Sequence, residues 1–142
     1  MSVKVLLVDD EEQFVDVLSQ RLQGRGFQVS TAFNGDDAIS FIEEHDADVV
    51  ILDVLMPGRN GIETLREIKR VRPITEVIML TGHGTVETAI QGMKLGAYDY
   101  LMKPTDTTEL VEKITKAQER KKEHEERIRQ AEVDRLIKTK GW

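Results

Sequence analysis

The chain has 142 residues, 39% hydrophobic and 32% charged, which is enough for one ordinary core and too apolar for disorder. It has no cysteine and three histidines, which excludes a disulfide framework, thiolate metal sites and a cysteine nucleophile and argues against a zinc centre. A formal charge of -6 at pH 7 argues against broad electrostatic, direct binding to nucleic acid.

Met1 to Val8 runs straight into a strand-like pattern, Val3 to Val8, with no signal-peptide anatomy. No apolar run reaches the roughly 18 residues of a membrane span, so a cytoplasmic protein with no membrane partner is expected. Phe14, Val17, Leu18 and Leu22 then form a helical stripe, and Gln28 to Ala32 reads as a second strand. Ala38, Ile39 and Ile42 mark a second helix, Val49 to Leu52 a third strand, and Ile62, Leu65 and Ile68 a third helix. Glu76 to Leu80 reads as a fourth strand, Val86, Ala89, Ile90 and Met93 as the stripe of a fourth helix, and Tyr98 to Met102 as a fifth strand. The first, third and fourth strands are nearly continuous apolar runs, as expected of strands covered on both faces. Gly24, Gly26 and Gly96 stand at helix ends, where a left-handed residue is cheap. A fifth helix begins after Pro104, with Asp106 as its cap, Glu109 three residues on, and Leu110, Val111, Ile114 and Ala117 as its stripe. The alternation predicts an α/β fold, a doubly wound, five-stranded parallel sheet whose ligand site lies beyond the carboxyl ends of the strands.

The tail is a different kind of sequence. Residues 1–117 carry net charge -8 and residues 118–142 net +2, and Gln118 to Arg127 holds no apolar residue. Without Gly or Pro from Thr105 to Lys140, and with Glu123/Arg127, Glu125/Arg129 and Asp134/Lys138 suitably spaced, the fifth helix is expected to continue to Lys140, about 50 Å in all. A heptad seam would run Ile114, Ala117, Lys121, His124, Ile128, Ala131, Arg135 and Lys138, too polar for a strong zipper. Val133, Leu136 and Ile137 lie on another face, open to a partner or to the domain itself.

Polar residues at the carboxyl ends of the strands carry the chemistry. Asp9 and Asp10 follow the first strand, Asp53 the third, Thr81 the fourth and Lys103 the fifth. Taken singly, each has a plain reading: acids favourable to a helix dipole, a loop-capping aspartate, a β-branched strand end, a surface lysine. Their joint arrival at one sheet edge favours a site. Three carboxylates in a crevice need a cation or a shared proton, and oxygen-only ligands suit Mg²⁺ or Mn²⁺. Asp53, beside a divalent ion, a lysine and a hydroxyl, is suited to attack phosphorus and form an acyl phosphate.

These residues lie in motifs that resemble one family, the receiver domains of two-component response regulators. The motifs are Val5-Leu6-Leu7-Val8-Asp9-Asp10-Glu11, Leu52-Asp53-Val54-Leu55-Met56-Pro57-Gly58 with Gly61, Thr81-Gly82, and Gly96-Ala97-Tyr98-Asp99-Tyr100-Leu101-Met102-Lys103-Pro104. The resemblance covers about residues 3–117 and implies a flavodoxin-like sheet of order 2-1-3-4-5. It implies that Asp53 accepts a phosphoryl group from a sensor histidine kinase or phosphotransfer protein. Asp10, Asp53 and the backbone carbonyl of Leu55 would bind Mg²⁺ directly, and Asp9 through water. Thr81 and Lys103 would contact the phosphoryl oxygens, the Lys103-Pro104 bond would be cis, and Tyr100 would be the switch aromatic that follows Thr81. Leu55 and His83 occupy the two positions that help set phosphoryl lifetime. Leucine there hinders the attacking water, and the histidine either positions that water, shields the site or simply faces solvent between two glycines.

The resemblance also implies a domain at 1–117 with a helical extension at 118–142, a switch rather than an enzyme that turns over a separate substrate. Gly82 to Ala89 looks most like receivers of ATPase-type transcription activators, yet 25 residues after Ala117 cannot hold an ATPase, so a stand-alone receiver or a piece of a longer chain is expected. The face of the fourth helix, fifth strand and fifth helix, or the C-terminal helix, would serve a homodimer. Two other readings are a phosphatase using Asp53, against which stands Leu55 where such enzymes keep an acid/base aspartate, and an adaptor that needs no phosphorylation. A P-loop is excluded, because no Gly-rich Walker sequence occurs.

Overall fold

The computed structural model describes residues 2–56, 60–82 and 86–139. Five strands alternate with five helices: β1 (Lys4–Val8), α1 (Glu12–Gly24), β2 (Gln28–Ala32), α2 (Gly35–Glu44), β3 (Val49–Leu52), α3 (Gly61–Val71), β4 (Glu76–Thr81), α4 (Val86–Lys94), β5 (Asp99–Met102) and α5 (Thr107–Thr139). The strands pair in the order β2-β1-β3-β4-β5, every pair parallel. The sheet is the expected doubly wound one.

Burial explains why the central strands read as unbroken apolar runs. Side chains of a strand alternate between the faces of the sheet. Leu6, Val8, Val50, Leu52, Val77 and Met79 enter one core with Ala38, Ile42, Leu65 and Ile68 of α2 and α3. Val5, Leu7, Val49, Ile51, Ile78 and Leu80 enter the other with Val15, Leu18 and Leu22 of α1 and Leu110, Ile114 and Ala117 of α5. Edge strands β2 and β5, covered less completely, mix half-buried and exposed residues. Each fully buried Leu or Ile contributes about 1.5–3 kcal/mol, so these two layers dominate stability.

Local signals set the helix starts. Asn34 accepts the Asp37 N–H at 2.8 Å, and Asn60 accepts the Glu63 N–H at 2.9 Å, each capping a helix. Asp106 accepts the Thr108 N–H at 3.3 Å ahead of α5. Gly26 and Gly96 adopt positive φ, 94° and 101°, whereas Gly24 ends α1 without it.

Two stripes turn out differently from the expected ones. On α1 the buried line is Val15, Leu18 and Leu22, while Val17 stands 50% exposed. On α4 the expected stripe faces outward, with Val86 78% exposed and Ile90 and Met93 about half exposed. Gly92 is the buried residue there, and a Cβ on it would stand 2.2 Å from Met79 Sδ. The β4 methionine takes the space, so α4 approaches by its backbone and leaves its larger side chains outside.

The fifth helix runs 33 residues, about 50 Å, close to the expected span. Its contact with the domain continues past Ala117. Lys121, expected as a polar break in a seam, is 4% exposed, with its ammonium 3.2 Å from Asp46, 3.0 Å from Asp48 and 3.1 Å from Glu125. Arg120 pairs with buried Glu76 and lies over the Tyr98 ring, 5.2 Å from its centroid. Ile128, Val133, Leu136 and Ile137 are exposed. Among the described residues no helix is long and apolar enough to cross a membrane.

Candidate functional site

The sheet register brings the site together. Val8 lies opposite both Ala32 and Leu52, Leu52 opposite Met79, and Thr81 opposite Met102, so the carboxyl ends of the strands share one edge. The residues just beyond inherit that alignment. The Asp9 N–H donates to the Ala32 carbonyl at 3.1 Å, the Asp53 N–H to the Val8 carbonyl at 2.9 Å, and the Lys103 N–H to the Thr81 carbonyl at 2.9 Å. The backbones of Asp9, Asp53 and Lys103 are thus each held by a bond to the neighbouring strand.

Asp9, Asp10 and Asp53 converge, each offering a carboxylate oxygen within 4.8 Å of the others. Asp9 and Asp53 are buried and Asp10 is exposed, so the cluster opens to solvent on one side. Burial pushes the Asp9 carboxyl above its ordinary range, outweighing the Lys103 and Glu11 hydrogen bonds that pull it down, and the Asp53 charge adds to the rise. Hard oxygen donors, clustered, partly desolvated and mutually repelling, fit a hard divalent cation such as Mg²⁺.

Lys103 follows β5 through a chain whose next peptide bond, Lys103-Pro104, is cis, as the motif implied. Its ammonium stands 2.5 Å from Asp9 Oδ2 and 3.3 Å from Glu11 Oε1, and 4.1 Å from the centroid of the Phe14 ring. Burial alone would lower its proton affinity, but the hydrogen bond to Asp9 and the charges of Asp9 and Asp53 hold it above the ordinary lysine value. It stays an ammonium.

Thr81 is buried at the end of β4. Tyr100 packs against the core beneath α4, and its hydroxyl is buried with no hydrogen-bond partner among the described residues. Burial, then the Asp53 charge, raises the phenol above its ordinary value. Leu55 is 53% exposed, and its N–H donates to Asp53 Oδ1 at 3.2 Å. His83 lies outside the described residues. The Gly61 N–H, at the start of α3, donates to the Val54 carbonyl at 2.8 Å. A Cβ on Gly61 would stand 2.4 Å from Val54 Cα and 2.6 Å from the Asp53 carbonyl oxygen, so only glycine lets α3 start this near Asp53.

Sequence reasoning missed two neighbours of Lys103. Glu11 read as an acid at a helix start and Phe14 as part of a core stripe. Nothing in the sequence signals contacts made across some ninety positions of chain.

Residues 5–115 match the response regulator receiver domain family. Among solved structures, a response regulator receiver domain protein from Clostridium thermocellum is 40% identical with a TM-score of 0.80, over 84% of this chain and 97% of that one. A CheY-like receiver domain protein from Methanospirillum hungatei JF-1 is 27% identical with a TM-score of 0.84, over 87% and 99%. NtrX from Brucella abortus, solved in complex with ADP, is 34% identical with a TM-score of 0.82; the match takes 89% of this chain and 29% of that protein. An acidic triad and a lysine on the carboxyl edge of a 2-1-3-4-5 sheet, with a match over most of the length, lead to one conclusion: the chain belongs to the response regulator receiver domains of two-component systems, which signal through an aspartyl phosphate.

Proposed function

We propose that Asp53 is the phosphoryl acceptor of a Mg²⁺-dependent switch charged by a sensor histidine kinase or phosphotransfer protein. The observation that carries this reading is the meeting of Asp9, Asp10 and Asp53 within 4.8 Å beside one ammonium. Asp53 is the acid at the end of the central strand β3, held by Val8 behind it and by the Leu55 N–H on one oxygen. Its other oxygen attacks phosphorus; the new O–P bond forms as the P–N bond to the donor imidazole breaks. Asp10, Asp53 and the Leu55 carbonyl would hold the metal, with Asp9 joining through water. Bound there, Mg²⁺ supplies positive charge against the oxygens of the transferring group. Lys103 leaves Asp9 and Glu11 to pair with one phosphoryl oxygen, and the Thr81 hydroxyl donates to another.

The switch works through Thr81 and Tyr100. A phosphoryl group that draws on the Thr81 hydroxyl changes the space beside Tyr100, whose buried hydroxyl has no hydrogen-bond partner among the described residues, which leaves the ring ready to change state. The surface that reads this out is formed by α4, β5 and α5, where Val86, Ile90, Met93 and Met102 are exposed. Residues 1–117 form the switch and residues 118–142 carry its output, with a second copy meeting it through that surface or through the end of α5. The protein works in the cytoplasm and turns over no separate substrate.

Acetyl phosphate with Mg²⁺ is expected to add one phosphoryl unit to the intact mass of the wild type and none to Asp53→Asn. Addition to the variant, or addition unaffected by chelation of the metal, would contradict the assignment.

A further inference from the structure

We propose that Phe14 is a positioning residue for the reaction at Asp53, acting through Lys103. This rests on the roles given above to Asp53 and Lys103.

A lysine side chain carries about 2 kcal/mol of rotamer entropy, so its ammonium needs fixed contacts to be found in one place. Lys103 has three, of two kinds: Asp9 at 2.5 Å, Glu11 at 3.3 Å and the face of Phe14 at 4.1 Å. The first two are charge pairs with members of the acidic pocket or its rim, and Glu11 is mostly exposed. Positive charge added to that pocket weakens the Asp9 pair, because that carboxylate then serves two cations, and the exposed Glu11 pair is already weakened by water. The aromatic quadrupole is not consumed in this way, so Phe14 is the contact that keeps the ammonium at the pocket when the carboxylates are engaged. The ring is itself held by packing. It sits half-buried on the first turn of α1 against the core beneath α5, and lines an apolar cleft of about 140 Å³ with Val17, Leu18 and Pro104. Pro104 follows Lys103 directly, so ring and lysine share one wall.

The test compares wild type, Phe14→Leu and Phe14→Tyr. Acetyl phosphate serves as donor, so that no partner protein has to dock. Phe14→Leu keeps an apolar side chain and removes the ring face; its phosphorylation rate is expected to fall about threefold to tenfold, the size of a partly desolvated cation–π contact. Phe14→Tyr restores the face and is expected to stay within about twofold of wild type. The second readout is the Lys103 ε-methylene proton signal in the Mg²⁺-loaded protein. A ring face at this distance shifts it upfield in wild type and Phe14→Tyr, and the shift is lost in Phe14→Leu. Equal rates for wild type and Phe14→Leu, a faster Phe14→Leu, or a slow Phe14→Tyr with an intact upfield shift would overturn the inference while leaving Asp53 as the acceptor. A wild type that takes up no phosphoryl group overturns the reading of Asp53 itself, and this inference with it.

Discussion

Both ends of the sheet bury charge, but only one end balances it. At the carboxyl edge Asp9, Asp10, Glu11 and Asp53 face, among the described residues, a single ammonium, that of Lys103. At the amino edge Glu76 faces Lys69 and Arg120, and Asp46 and Asp48 face Lys121. Burial pushes Lys69 below its ordinary value, while hydrogen bonds to Asp48 and Glu125 hold Lys121 above its own despite burial. The amino end is complete with its own side chains and ties the root of the long helix to the domain. Among the described residues the carboxyl end has an excess of negative charge that a cation would offset. Buried charge alone therefore does not mark a site; unbalanced buried charge does.

That contrast is broken most strongly at the balanced end. Glu76→Gln leaves two cations without their carboxylate and is expected to cost about 3 kcal/mol, the low end for a broken buried pair because Arg120 keeps much of its surface in water. The readout is the urea midpoint at unchanged slope. At the other end, Mg²⁺ at a hundredfold over its dissociation constant is expected to stabilise the wild type by about 2.7 kcal/mol and to lose most of that effect in Asp53→Asn. In metal-free protein the same Asp53→Asn change removes repulsion and is expected to raise stability by on the order of 1 kcal/mol, where Glu76→Gln lowers it. The smallest effect is in pH. Lys121 is raised in the folded state, so its contribution is fully present below the ordinary lysine value of 10.5 and is lost as pH climbs through the raised value. Thermal melts above pH 10.5 should therefore fall more steeply for wild type than for Lys121→Met, with Lys103 contributing equally to both.

The strands were legible because burial on both faces writes an unbroken apolar run, as in Val49 to Leu52. Asp9, Asp10, Asp53, Thr81 and Lys103 were legible because parallel strands place their carboxyl ends together, so position along the chain becomes position in space. The α4 stripe was not. Val86, Ile90 and Met93 have helical spacing whether they cover a core or face outward, and Met79 beneath Gly92 decides the matter from another element. Lys121 was misread for a similar reason, since its partners Asp46 and Asp48 stand 75 and 73 positions away. Phe14 kept its apolar role and acquired a second one, which became visible only once Lys103 lay over its ring.

The proposed switch depends on Asp53 being the group that is charged, and the most direct measurement locates the phosphoryl group itself. Wild-type protein treated with acetyl phosphate and Mg²⁺ is reduced with borohydride, which converts an aspartyl phosphate to homoserine, and its peptides are mapped by mass. The expected result is homoserine at position 53 alone, with Asp9 and Asp10 intact. Homoserine at Asp9 or Asp10, or a phosphoryl group on a residue that borohydride leaves unchanged, would contradict it.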